Sequence, residues 1–187
     1  MGLCLGVTSW QHYRMSISVS RSPRPTRKHL RLKGYDYSAD GAYFLTICVK
    51  DRNEKLGYVG RDDLGAQHVE LSEDGLVAKR NIEIIESHYE GITIDNFVVM
   101  PNHIHILITV ATNSDASKPL RPTSAVIPRI VGAFKRFTNK ELGFDMWQIS
   151  YHDHIVRNEV DYLRIWQYID NNPVKWRDDC YFQTIND

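Results

Sequence analysis

The chain has little cysteine, no long apolar run and no net charge, and each shortage excludes something. Three cysteines, Cys4, Cys48 and Cys180, are too few and too scattered for a disulfide framework or a thiolate zinc site. A reducing cytoplasm is the expected compartment. No stretch approaches the roughly 18 consecutive apolar residues that a membrane span needs. The opening MGLCLGVTSW lacks the basic start and cleavage site of a signal peptide. Lys plus Arg number 23 and Asp plus Glu number 23, so a nucleic-acid surface, if there is one, must be a local patch. What is present is an ordinary globular composition, 42% apolar and 25% charged, in 187 residues, a length that suits one domain.

Residues 1–33 differ from the remainder. They are rich in Ser, Arg and Pro and carry no helix or strand period, so they read as a flexible basic arm ahead of a single domain over 34–187. Arg31 and Lys33 lie at its end. Residues 41–49 (GAYFLTICV) are aromatic and β-branched, which predicts a strand. Residues 53–70 are loop-like with room for one short strand. Ser72 is a plausible N-cap with Glu73 and Asp74 in the first helical turn, and Gly91 is a natural stop. Two strands follow, 92–100 and 103–110, joined by a tight turn at Pro101-Asn102. After a polar loop (111–124) a helix is expected over 127–141. It is basic: from Lys118 to Lys140 there are six Lys or Arg and no acid. A strand over 147–156 and a helix from Asn158 to about Asn171, stopped by Pro173, complete the pattern. The order β-α-β-β-α-β plus a final helix is α+β, a ferredoxin-like antiparallel sheet with helices on one face.

Two short patterns could carry chemistry. In His103-Ile104-His105 the two imidazoles point to the same face of a strand, roughly 6–7 Å apart along the chain, close enough to share a divalent ion. The plainer reading is a pair of surface or half-buried histidines. In Tyr168-Ile-Asp-Asn-Asn172 the first and last residues are i, i+4 neighbours on a helix, which sets a phenol beside a carboxamide oxygen of the kind Mg²⁺ or Mn²⁺ accepts. The plainer reading is a packing aromatic and a C-cap. Taken together, the patterns suggest more. A cation held by His103, His105 and Asn172 would leave positions open for a phosphate oxygen. Tyr168 beside it could then attack phosphorus and leave a covalent phosphotyrosine.

At these residues the chain resembles a known family, the single-tyrosine HUH (His-hydrophobe-His) transposases, and within it the REP-associated tyrosine transposases of the IS200-like group. The resemblance is carried by Gly41-Ala-Tyr-Phe-Leu-Thr46, Val98-Val-Met-Pro-Asn-His-Ile-His-Ile-Leu107, Phe134-Lys135, Trp147-Gln148, Tyr151-His-Asp-His-Ile-Val-Arg157 and Tyr168-Ile-Asp-Asn-Asn-Pro-Val-Lys175. It implies metal-dependent cleavage and rejoining of single-stranded, hairpin-forming DNA, nucleoid-associated in the cytoplasm, by a monomer or homodimer. His103, His105 and Asn172 become ligands of Mg²⁺ or Mn²⁺, and Tyr168 becomes the nucleophile that forms a 5′-phosphotyrosine. The alternative is a domesticated hairpin-DNA binder without turnover. Arg31, Lys33, Arg129, Lys135, Arg136 and Arg157 are the expected phosphate contacts. The chain departs from the pattern in two ways: it has no net charge, and only a short run follows Pro173, where some relatives use a C-terminal tail.

Overall fold

A computed structural model describes residues 39–111 and 125–182. The basic arm, with Arg31 and Lys33, and nearly all of the polar loop lie outside the described residues.

The elements are β1 (Gly41–Cys48), β2 (Gly57–Arg61), β3 (Gln67–Leu71), α1 (Glu73–Glu83), α2 (Ile85–His88), β4 (Ile92–Val99), β5 (His103–Val110), α3 (Val126–Leu142), β6 (His152–Ile155) and α4 (Glu159–Asn171). Four strands form one antiparallel sheet in the order β4-β5-β1-β6. With β2 and β3 set aside, this is the ferredoxin-like order. The caps read from sequence are in place. Ser72 Oγ accepts from the Gly75 amide at 3.1 Å, and Asn158 Oδ1 accepts from the Asp161 amide at 2.9 Å. Gly91 takes a positive φ of 74°, which explains a glycine where the chain turns into β4.

Strand alternation divides the molecule into two layers of packing. Tyr43, Leu45 and Ile47 of β1 and Ile104, Ile106 and Ile108 of β5 face one side, where Ile127, Ile130, Val131 and Phe134 of α3 and Ala78 and Ile82 of α1 close the main core. The opposite side carries Ala42, Phe44 and Leu107, covered by Ile165 and Ile169 of α4. α4 lies over this second face, to which the even positions of β1 and the odd positions of β5 point; Thr46, Cys48, His103, His105 and Leu107 are buried there, and Ala42, Phe44 and Thr109 partly so.

Three expectations need correcting. Residues 53–70 hold a complete hairpin, β2–β3, rather than one short strand. The first helix stops at Glu83 and restarts as α2 beyond Ile84. The expected strand 147–156 is ladder-paired only over His152–Ile155. Trp147 makes a single bridge to Val49, and the chain then leaves the sheet. Where it leaves, the carbonyls of Gln148 (2.7 Å), Ile149 (3.4 Å) and Ser150 (2.8 Å) accept from the Lys135 ammonium of α3. Among the described residues no helix is long and apolar enough to cross a membrane.

Candidate active site

The register puts His105 opposite Thr46 and His103 opposite Cys48, so both imidazoles sit on the α4 face of the sheet. Both are buried, at 0% and 1% exposure. Their Nε2 atoms approach to 3.0 Å. Each Nδ1 has its own partner: Asn102 Oδ1 at 2.9 Å for His103, and Thr46 Oγ1 at 2.9 Å for His105. Burial pulls His103 down to about 4, opposed by the nearby Asp179 charge, and holds His105 well below its ordinary range. Two neutral rings with converging nitrogens are a ligand pair for a cation.

α4 brings Tyr168 over this pair. Its hydroxyl lies 3.3 Å from His105 Nε2 and 3.3 Å from Asp179 Oδ2. The ring stands edge-on to Phe44, with centroids 5.9 Å apart, and 5.2 Å from the His105 ring. Tyr168 is still 41% exposed and borders a 230 Å³ cleft that Asn171, Asn172, Lys175 and Asp179 also line. Burial and the Asp179 charge raise its pKa above the ordinary phenol value, so the hydroxyl is protonated as it stands. Asn172 caps α4 and is buried. Its Nδ2 donates to Asp179 Oδ2 at 3.1 Å, and its Oδ1 has no hydrogen-bond partner among the described residues.

Asp179 is the residue that sequence reasoning missed. The run after Pro173 passes through a short 3-10 turn (Trp176–Asp178) and folds back onto the histidines. The Tyr181 ring lies 4.5 Å from that of His103, and the Arg52 guanidinium lies over the Tyr181 ring, 5.2 Å from its centroid. One carboxylate oxygen of Asp179 and one nitrogen each from His103 and His105 all lie within 4.8 Å of one another. Two imidazoles, a carboxylate and a buried carboxamide oxygen without a partner are a donor set that fits a divalent cation. The short C-terminal run is thus part of the site. No spacing in the sequence announces Asp179, which follows Asn172 by seven positions and leaves the helix on the way.

Among the described residues, the expected phosphate contacts do not gather here. Arg129, Lys135 and Arg136 belong to α3, across the sheet from the histidines. Arg129 lies over the Tyr89 ring (5.6 Å) and Arg136 over Phe137 (5.3 Å). Lys135 is turned inward to its three carbonyls, and burial lowers it to about 8. Arg157 is exposed just beyond β6, at the edge between the two faces. A groove of 740 Å³ beside α3, lined by Ile84, Tyr89, Ile130 and Phe137, is mainly apolar and remote from Tyr168.

The profile of the family described as "Transposase IS200 like" matches residues 67–172. The chain belongs to the IS200-like transposase family. The match runs from β3 to Asn172 and includes both histidines and Tyr168. An uncharacterised protein of Haemophilus influenzae is 35% identical over 170 residues, covering 82% of this chain and 91% of that protein. A second H. influenzae protein, named "Putative REP-associated tyrosine transposase", is 23% identical over 146 residues, covering 75% and 74%. Among solved structures, a REP-associated tyrosine transposase bound to a REP hairpin superposes with a TM-score of 0.55 at 21% identity, over 73% of this chain and 68% of that one. At that identity the likeness is one of fold. The α+β sheet derived above is the IS200-like transposase sheet.

Proposed function

We propose that this IS200-like transposase cleaves and rejoins single-stranded DNA next to a hairpin, using Tyr168 as nucleophile and a divalent cation, Mg²⁺ or Mn²⁺, held by His103, His105 and Asn172, with Asp179 as a further oxygen ligand or proton acceptor. One observation carries the reading: the Tyr168 hydroxyl stands 3.3 Å from His105 Nε2, directly at the paired imidazoles. The solved relative's REP hairpin supports hairpin DNA as the substrate class.

A bound cation would polarise the scissile phosphate and offset the charge that develops on it. The remaining work falls to the chain. The cleft beside Tyr168 admits the strand, and exposed Lys175 on its wall offers a positive charge to the phosphate. The phenol oxygen attacks phosphorus, the Oη–P bond forms and the P–O3′ bond breaks. The phenolic proton passes to Asp179, 3.3 Å away, and the departing 3′ oxygen takes a proton from solvent and leaves as a hydroxyl. Phe44, on which the ring rests edge-on, fixes its approach. Rejoining is the same step in reverse, with a 3′-hydroxyl as the attacker.

The test is a denaturing gel after incubation with a hairpin oligonucleotide and Mn²⁺. A covalent protein–DNA adduct is expected from the wild type and none from Tyr168→Phe, with hairpin binding retained in both. An undiminished adduct in Tyr168→Phe removes Tyr168 from the role. Hairpin binding that ignores EDTA, with no adduct from any palindromic substrate, favours a binding protein without turnover.

A further inference from the structure

The hydrogen bonds behind the two histidines are unequal, and the inequality has chemical content. Asn102 lies in the turn between β4 and β5 and is fully buried. Its Nδ2 faces two backbone carbonyls, Arg52 O at 3.2 Å and Tyr181 O at 2.8 Å. Carbonyl oxygens only accept, so the amide nitrogen must be on that side and the amide oxygen must face His103 Nδ1. An amide oxygen also only accepts. The His103 proton is therefore pinned on Nδ1, and Nε2 keeps a free lone pair. Both rings are buried and neutral, with one proton each. His105 Nε2 lies 3.0 Å from His103 Nε2 and 3.3 Å from the Tyr168 hydroxyl, which leaves His105 Nδ1 for a second partner. The partner there is the Thr46 hydroxyl, which can donate or accept.

Resting on the reading of His103 and His105 as metal ligands, we infer that Asn102 and Thr46 are positioning residues: Asn102 locks His103 in the tautomer that leaves Nε2 free to bind, and Thr46 holds His105 through Nδ1 so that its Nε2 faces the same point. With His103 as the Nδ1–H form its Nε2 is free to bind. When His105 Nε2 is the ligand, its Nδ1 carries the proton and the Thr46 hydroxyl is placed to accept it. Asn102 does one thing more. Through Tyr181 O it ties the His103 ring to the run that carries Asp179, so the imidazole and carboxylate donors are set against each other by one side chain.

Two measurements on the full chain test this. Long-range ¹H–¹⁵N NMR of the histidine-labelled, metal-free protein should show His103 as Nδ1–H. Finding His103 as Nε2–H overturns the inference. Calorimetric titration with Mn²⁺ alone should show affinity falling about 10- to 100-fold in Asn102→Ala and in Thr46→Val, the range expected when a partner behind a metal ligand is lost. Thr46→Ser, which restores the hydroxyl, should return to within a few-fold of wild type. Thr46→Val keeps a β-branched residue in a central strand and is expected to fold, so it decides the matter if Asn102→Ala does not. Wild-type affinity in Thr46→Val overturns the positioning role of Thr46. Absence of Mn²⁺ binding by the wild type counts against the metal reading itself, while the His103 tautomer in the metal-free protein still decides the inference.

Discussion

At the residue scale the site is assembled at a cost that pH should reveal. His103 is neutral in the fold and pulled down to about 4 by burial, whereas an unfolded histidine titrates near 6.5. Between those two values the unfolded chain binds more protons than the native one, so stability falls as pH drops from 6.5 towards 4 and levels off below. At pH 5 the loss from this one group is about 2 kcal/mol. His105 adds in the same direction. Urea unfolding at pH 7.5 and pH 5.0 should show the drop, and His103→Asn should show a smaller one. An equal drop in the variant would assign the pH dependence to other groups. The residue scale is also where the sequence was most and least informative. His103 and His105 were legible because strand alternation alone places them on one face between core isoleucines. Asp179 was not, because its position depends on how the run after Pro173 turns back, and that is set by Tyr181 lying against His103 and by Asn102 holding its carbonyl.

At the element scale, α3 shows why charge in a sequence does not give direction. Ile127, Ile130, Val131 and Phe134 form its buried side, while its basic residues, close together in the sequence, suggest one surface. Lys135, however, falls at the margin of the buried side, next to Phe134, where its long stem passes over the core and its ammonium meets three carbonyls of the loop before β6. The same contact marks where the alternation in residues 147–156 parts from the sheet, and in 53–70 glycines and charged residues interrupt the alternation, so one short strand is expected where the hairpin β2–β3 forms. Lys135→Met keeps the stem and removes the charge. It should destabilise the protein by about 2 kcal/mol, the usual loss for hydrogen bonds from a charged donor, as read by thermal or urea unfolding. It should speed amide exchange around residues 148–151 and leave DNA affinity unchanged. Weaker hairpin binding at unchanged stability would return Lys135 to the DNA surface.

At the scale of the whole molecule, zero net charge makes DNA binding a question of placement. The histidines and Tyr168 occupy the α4 face, while Arg129 and Arg136 stand exposed on α3 across the sheet. A strand entering the Tyr168 cleft can reach them only by passing round an edge of the sheet, and β6, with Arg157 just beyond it, is the edge that carries a cation in position to guide it. If the DNA follows that route, each arginine releases counterions when it meets a phosphate, and the log–log dependence of affinity on salt steepens by about 0.7 per contact for a single strand. Arg129→Gln with Arg136→Gln should then lower the magnitude of the slope by about 1.4. The two substitutions should leave the yield of Tyr168 adduct at saturating DNA unchanged, since neither residue touches the cleft. Fluorescence anisotropy with a hairpin carrying a single-stranded flank, read across a salt series, measures the slope. An unaltered slope would confine the DNA to the α4 face, with Lys175 and Arg157 as its cations, and would leave the two arginines to their ring contacts with Tyr89 and Phe137.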